Sequence, residues 1–370
     1  MRIQAAVTRE KGGKFHIETL NLEAPHHDEL LIRLVAVGVC HTDIAIRDQI
    51  YPVPQPIVLG HEGAGIVEQV GRNVTGFSVG DRVVLSYTSC GTCPSCIHHA
   101  PNYCQLLFPL NFGGSRLDGS TSLSCDSGSV HSHFFGQSSF ATHAVVPYGN
   151  AVKVPADLDL QTLAPFGCGI QTGAGAVMNS LKLQAGDSFA IFGAGAVGLS
   201  AVMAARIVGA SRIIAVDRNA LRLNLAKEVG ATHISDATHE NPVDIIKQIT
   251  SAGVSHAIDT TALMSVIGQA FAALAPRGVL GVIGSSKPED IFPVPIVDLL
   301  TYGKRIQGIV EGDSEPAVFL PKLFDLYAQG RFPVDKIMKF YNFDEINQAV
   351  HDSETGKCIK AVLKLQDDSN

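Results

Sequence analysis

From about residue 170 the chain alternates short apolar segments with amphipathic ones, a rhythm that parallel strands and covering helices produce and few other folds tolerate. Candidate strands fall at 188–192, 212–216, 256–259, 278–283 and 305–310. Between the second and third, Leu221, Leu225 and Val229 repeat at helical spacing and Gly230 follows as a stop, which predicts a helix over 219–229. The first strand runs into Gly193-Ala194-Gly195-Ala196-Val197-Gly198, ahead of an apolar helix expected at 197–208. In this G-x-G-x-x-G setting the three glycines allow a tight turn, the approach of backbone to a pyrophosphate, and close packing of helix on strand. Asp217 ends the next strand, nineteen residues past Gly198, where its carboxylate can accept hydrogen bonds from an adenosine ribose. A 2′-phosphate there is repelled, so NAD is favoured over NADP; Arg218 is the opposing signal, because an adjacent arginine can accommodate that phosphate.

At 370 residues the chain exceeds what one core supports, and two domains are expected. The first 150 residues read as short strands divided by turns: 30–36 is bounded by His26-His27-Asp28 and Gly38, and 66–70 ends at Gly71-Arg72-Asn73. A β-rich domain precedes the α/β one. The net charge of −7 and the lack of a lysine or arginine run argue against a nucleic-acid partner. No apolar stretch reaches the roughly 18–20 residues that span a bilayer, and MRIQAAVTRE lacks the apolar region of a secretory signal, so a reduced, cytoplasmic protein is expected.

That expectation bears on the eight cysteines. Cys90, Cys93, Cys96 and Cys104 crowd together, with Gly91, Pro94 and Pro101 to turn the backbone. Two disulfides would need an oxidising compartment and usually a domain short of core. A closed four-thiolate zinc lobe over 90–104 is the better reading. Cys40, His61 and Cys168 can supply two sulfurs and one imidazole to a second zinc, leaving one tetrahedral position for water or substrate. Each alone reads more readily as a core residue. Cys125 and Cys358 are read as unligated thiols.

Taken together these residues resemble the medium-chain, zinc-dependent alcohol dehydrogenases over nearly the whole chain. Gly60-His61-Glu62-Gly63-Ala64-Gly65, with Gly71 and Val74 beyond it, is similar to the family's zinc signature, and the cysteine spacing and the Gly193 to Gly198 turn match as well. The resemblance implies a GroES-like β-rich catalytic domain over 1–169, a Rossmann coenzyme domain over 170–310, and a return to the catalytic domain over 311–370, with the active site in the cleft between them. It implies Cys40, His61 and Cys168 as catalytic ligands, Glu62 as a neighbouring or transient ligand, and Asp43 as the group that orients His61. Thr42 is placed where the family hydrogen-bonds the substrate oxygen. The relay histidine often found five residues past the first ligand is Ala45 here, so the proton must leave by another route. His41, Arg222 and Lys360 fall at positions that resemble coenzyme contacts, the last two near the ribose and the pyrophosphate.

By the same resemblance the segment 133–140 lines the alcohol pocket, with Phe134 and Phe135 as aromatic walls. Tyr51-Pro52-Val53-Pro54, the segment 106–112 and Val310-Glu311-Gly312-Asp313 are similar to the aryl-alcohol and geraniol dehydrogenase branch. The expected reaction is oxidation of a primary aromatic or allylic alcohol with hydride transfer to NAD. Polyol and formaldehyde-type dehydrogenases are the alternatives, the former disfavoured by Cys168. A non-enzymatic zinc protein is a third. A homodimer or homotetramer is implied, joined through a sheet edge for which 305–310 is the candidate.

Overall fold

The computed structural model describes residues 1–126 and 128–365. They divide into two units, one built from Met1–Cys168, Glu315–Ala328 and the chain from 338 onward, the other from Gly169–Ser314 and Gln329–Ile337. The seams therefore fall at 168/169 and 314/315, where 169/170 and 310/311 were expected, and 329–337 rejoins the second unit.

The first unit centres on the strand Glu29–Gly38. Apart from Arg33 all its residues are buried, on both faces, which a run apolar at every position but Glu29 and Arg33 allows and an alternating pattern would not. It pairs with Gly63–Val70 on one side and with Lys360–Lys364 and His143–Pro147 on the other, all antiparallel. The register sets Gly63 opposite Val37 and Val362 opposite Gly38, so the zinc signature and the last strand meet at one end of the same strand. A second sheet runs in the order Ile57–Val58, Arg2–Thr8, His16–Leu22, Leu123–Cys125 and Gly128–Val130.

The second unit is a six-stranded parallel sheet in the order His233–Asp236, Arg212–Asp217, Ser188–Phe192, Val254–Asp259, Leu274–Val282 and Arg305–Gly308. Five of these strands match the expected positions. The edge strand His233–Asp236 was not foreseen: His233, Ser235 and Asp236 break any apolar run, and only Ser235 is buried. Helix Ala196–Val208 follows the glycine turn and stops at Gly209, and Ala220–Val229 is capped by the Asn219 side chain on the amides of Leu221 and Arg222. In the first unit, helix Pro316–Ala328 buries Phe319, Leu320, Leu323 and Phe324, whereas Val318 is exposed. Among the described residues no helix is long and apolar enough to cross a membrane.

Candidate active site

The lobe at 90–104 is wound by Gly91, at a φ of +71°, and by the short helix Pro94–Ile97, which starts just past Cys93. The four sulfurs lie within 4.8 Å of one another, with Cys90 and Cys96 3.9 Å apart and Cys93 and Cys96 3.5 Å apart. Four sulfurs at a zinc–sulfur distance of about 2.3 Å sit roughly 3.8 Å apart, whereas a disulfide needs about 2.05 Å. Backbone N–H groups of Cys93 and Leu106 donate to the sulfurs of Cys90 and Cys104 at 3.3 Å each. Backbone donation, led by the amide of Thr92, brings the Cys90 thiol down to about 6. Burial and the neighbouring Cys93 sulfur push Cys96 up to about 12. Four thiols this close ionise together only around a cation, so the set fits zinc.

The second cluster is assembled from three parts of the first unit. Cys40 caps helix His41–Arg47 just past the central strand, His61 precedes strand Gly63–Val70, and Cys168 ends the turn Ala164–Gly167. Their ligand atoms and a Glu62 carboxylate oxygen lie within 4.8 Å of one another. The buried Asp43 carboxylate holds the frame. Its Oδ1 accepts from His61 Nδ1 at 2.8 Å and from the Gly60 amide at 3.0 Å, and its Oδ2 accepts from the Cys40 amide at 3.0 Å. With Nδ1 donating, the Nε2 lone pair is left for a ligand, and Nε2 is buried with no hydrogen-bond partner. The Cys168 sulfur above all, with His61 and Lys360 and against the cost of burial, holds the Cys40 thiol well below its usual range. Two thiols and an orphaned imidazole nitrogen are a donor set that suits zinc.

Glu62 is fully buried, and burial, opposed by Lys360, pushes its carboxyl up to about 7. Lys360 Nζ reaches its two oxygens at 2.7 and 2.6 Å and donates to Val39 O at 3.1 Å. This corrects the reading of Lys360 as a pyrophosphate contact: the side chain is 3% exposed and its ammonium is committed to Glu62, because the last strand pairs beside Gly38. Gly38 leaves the space this requires, since a Cβ there would come within 1.9 Å of Glu62 Oε2. Thr42 Oγ1 lies 3.8 Å from Cys40 Sγ, His41 is exposed on the first turn of the same helix, and Ala45 is buried.

Phe134 and Phe135 stand beside His61, though not as two pocket walls. Phe134 has no accessible surface and meets the imidazole edge-on, while Phe135 keeps 7% and stacks on it. Phe112 closes the cluster, with ring centroids 6.0 Å from Phe134 and 5.2 Å from Phe135. A residue that sequence reasoning passed over is Gln137. Its Nε2 donates to the carbonyls of His61 and Ser86, and its Oε1 accepts from the Gly63 amide. Partners up to 76 positions away leave no local signal for such a contact.

In the second unit the glycine turn has the geometry that the motif requires. Gly193 adopts a φ of +98°, and a Cβ on Gly198 would fall 1.9 Å from Gly193 O. Asp217 is fixed at the end of its strand: Oδ2 accepts from the Ala194 amide at 2.7 Å, and Oδ1 from the amides of Arg218 and Asn219 at 2.7 and 2.9 Å. Arg222 stands 3.7 Å from Asp217 Oδ2, and a Cβ on Gly195 would meet nothing within 4 Å.

The comparisons agree with this geometry. Residues 26–156 match the alcohol dehydrogenase GroES-like domain and residues 196–328 the zinc-binding dehydrogenase family. A geraniol dehydrogenase of Castellaniella defragrans is 49% identical over 362 residues, 97% of each chain. The solved structure of a benzyl alcohol dehydrogenase from Acinetobacter calcoaceticus superposes with a TM-score of 0.97 at 48% identity, covering 99% of this chain and 100% of that one. An alcohol dehydrogenase zinc-binding domain protein from Burkholderia ambifaria does so at 0.98 and 51%, with the same coverage.

Proposed function

The chain belongs to the zinc-dependent medium-chain alcohol dehydrogenases, and from that premise we propose that it oxidises a primary aromatic or allylic alcohol to the aldehyde, reversibly, with NAD as hydride acceptor. The observation that carries the reading is the meeting of Cys40, His61 and Cys168 around a buried, unpartnered imidazole nitrogen. Zinc held by these three residues supplies a Lewis acid that lowers the pKa of an alcohol hydroxyl. Cys90, Cys93, Cys96 and Cys104 hold a second zinc that closes the lobe.

The protein's own residues supply orientation and the proton's first step. Asp43 fixes the tautomer and direction of His61, and Thr42, next to the first ligand on the helix end, accepts the hydroxyl proton's hydrogen bond. Ala45, buried in the helix, can carry no proton onward, so Thr42 would pass it toward water, with the coenzyme's ribose hydroxyls able to serve as the next acceptor when NAD is bound. Gly193, Gly195 and Gly198 receive the pyrophosphate, and Asp217 selects the free 2′-hydroxyl, with Arg222 beside it and His41 as a further contact. The similarity to geraniol and benzyl alcohol dehydrogenases, with the Phe112 ring near the ligands, supports a flat, uncharged substrate. The protein acts in the cytoplasm as a homodimer or homotetramer, and the edge strand Arg305–Gly308 is the joining edge.

The test is a steady-state panel of benzyl alcohol, geraniol, ethanol, sorbitol and glutathione-bound formaldehyde with NAD and with NADP, alongside elemental analysis. Benzyl alcohol or geraniol should give the largest kcat/KM, with NAD, at two zinc equivalents per chain. One equivalent, or preference for sorbitol or the formaldehyde adduct, refutes the reading.

A further inference from the structure

A hydrogen bond fixes the direction of an imidazole but leaves its roll free. About the 2.8 Å bond from His61 Nδ1 to Asp43, the ring can still tilt and carry Nε2 through an arc. Two contacts from one segment remove that freedom. The Phe135 ring lies over the imidazole with centroids 4.5 Å apart and planes 28° from parallel, and Phe134 meets its edge at 5.4 Å and 89°. Gln137, from the same segment, holds the His61 carbonyl at 2.9 Å and the Gly63 amide at 3.1 Å.

The segment is held in a conformation that side chains disfavour. His133, Phe135 and Ser138 take φ values of 61°, 51° and 53°, in the left-handed region that is costly for any residue with a Cβ. Buried hydrogen bonds enforce it: Asn150 Nδ2 donates to Phe135 O at 2.9 Å, and Ser138 Oγ accepts from the Phe134 amide at 3.0 Å and donates to Val58 O at 2.6 Å. The strained turn aims one flat face at one imidazole. A residue serving only as a substrate wall would present that face outward, and Phe135 has given its face to His61.

We infer that Phe135 is a positioning residue for metal binding: its ring sets the roll of His61, so that the Nε2 lone pair converges with the sulfurs of Cys40 and Cys168. The inference rests on the zinc reading above and goes beyond it by assigning the third constraint on the ligand. Asp43 sets direction, Gln137 sets backbone position and Phe135 sets tilt.

The experiment follows zinc release from the holoenzyme to a coloured chelator, which resolves the two ions as separate phases. Phe135→Leu keeps an apolar side chain on the left-handed backbone but removes the flat face. It should speed release from the Cys40, His61 and Cys168 site by about tenfold, the lower end of what loss of a group supporting a ligand costs in affinity. Release from the four-cysteine lobe should stay at the wild-type rate. Phe135→Tyr keeps the face and should restore slow release, and in cobalt-substituted protein the d–d absorption bands should shift in the leucine variant and not in the tyrosine variant. Unchanged release from Phe135→Leu, equal acceleration of both ions, or a tyrosine variant as fast as the leucine one overturns the inference. If the leucine variant does not fold, Phe135→Met is measured in its place against the same outcomes. Wild-type protein with one zinc per chain would refute the metal reading itself, a result visible before any variant is made.

Discussion

At the scale of single residues the site separates groups that touch an ion from groups that hold those groups still. Cys40→Ser removes one of three ligands at the site and should abolish turnover while coenzyme binding, followed by the fluorescence of NADH, stays measurable. Elemental analysis should then fall toward one zinc per chain, and undiminished activity would refute the ligand assignment. Lys360 tests the other class. Its ammonium lies 2.6 to 2.7 Å from a fully buried carboxyl, so Lys360→Met leaves that group to stay charged without its partner or to take up a proton. Breaking a buried pair from one side costs about 3 kcal/mol or more, whereas replacing both partners can be nearly neutral. The unfolding midpoint in urea should drop for Lys360→Met and recover largely in Glu62→Gln with Lys360→Met. A double variant as unstable as the single one would mean that the lysine acts through Val39 O rather than through Glu62.

At the scale of elements, the start of the central strand is tied to the segment that follows the zinc lobe. Arg116 donates to both oxygens of Glu29 at 2.6 and 2.9 Å, and His133, the first residue of the strained turn, stands 3.6 Å from the same carboxylate. Burial pushes the Glu29 carboxyl up, but His133, Arg116 and the His26 amide together pull it well below the usual carboxylate range. A group with a depressed folded pKa stabilises the protein above its unfolded value, about 4.3 for a glutamate, and that stability is lost as pH falls through the folded value. Stability measured by urea unfolding should therefore decline below about pH 4, and Glu29→Gln should flatten that decline; identical slopes would show that the contact does not respond to protonation. Elements like these were unevenly legible in the sequence. The buried parallel strands were readable because their apolar runs are continuous, and the asparagine-capped helix because cap and stop lie next to it. The edge strand His233–Asp236 was not, because a polar strand on an edge has no pattern to display. The family resemblance, not any local pattern, pointed to Cys40, His61 and Cys168 as one group, and their ligand atoms lie within 4.8 Å of one another. Lys360 was misplaced because its partner is 298 positions away and only strand pairing joins them, and Phe134 because sequence gives a ring's identity but not the direction its face points.

At the scale of the whole molecule, the sheet of the second unit ends on Arg305–Gly308, beyond which no further strand pairs among the described residues. Arg305–Gly308 is the last strand of the parallel sheet and pairs with Leu274–Val282 alone among the described strands. Beside it in the chain, helix Ile296–Tyr302 buries none of its residues, and Leu300 and Val297 are 84% and 70% exposed. Exposed edge strands invite pairing with another chain, and exposed apolar side chains favour burial against a partner, as the proposed homo-oligomer would provide. A second copy related by a two-fold axis satisfies both, because the same edge and the same helix then serve each protomer. Leu300→Lys with Val297→Lys places two ammonium groups on each side of that axis, where like charges face one another. Sedimentation should show the wild type as a dimer or a tetramer and the variant shifted toward monomer, more so at low salt, since screening weakens the repulsion beyond about 10 Å at 0.1 M. Bound zinc should stay at the wild-type level, because both ligand sets lie in the other unit. A variant with the wild-type sedimentation coefficient would place the interface elsewhere.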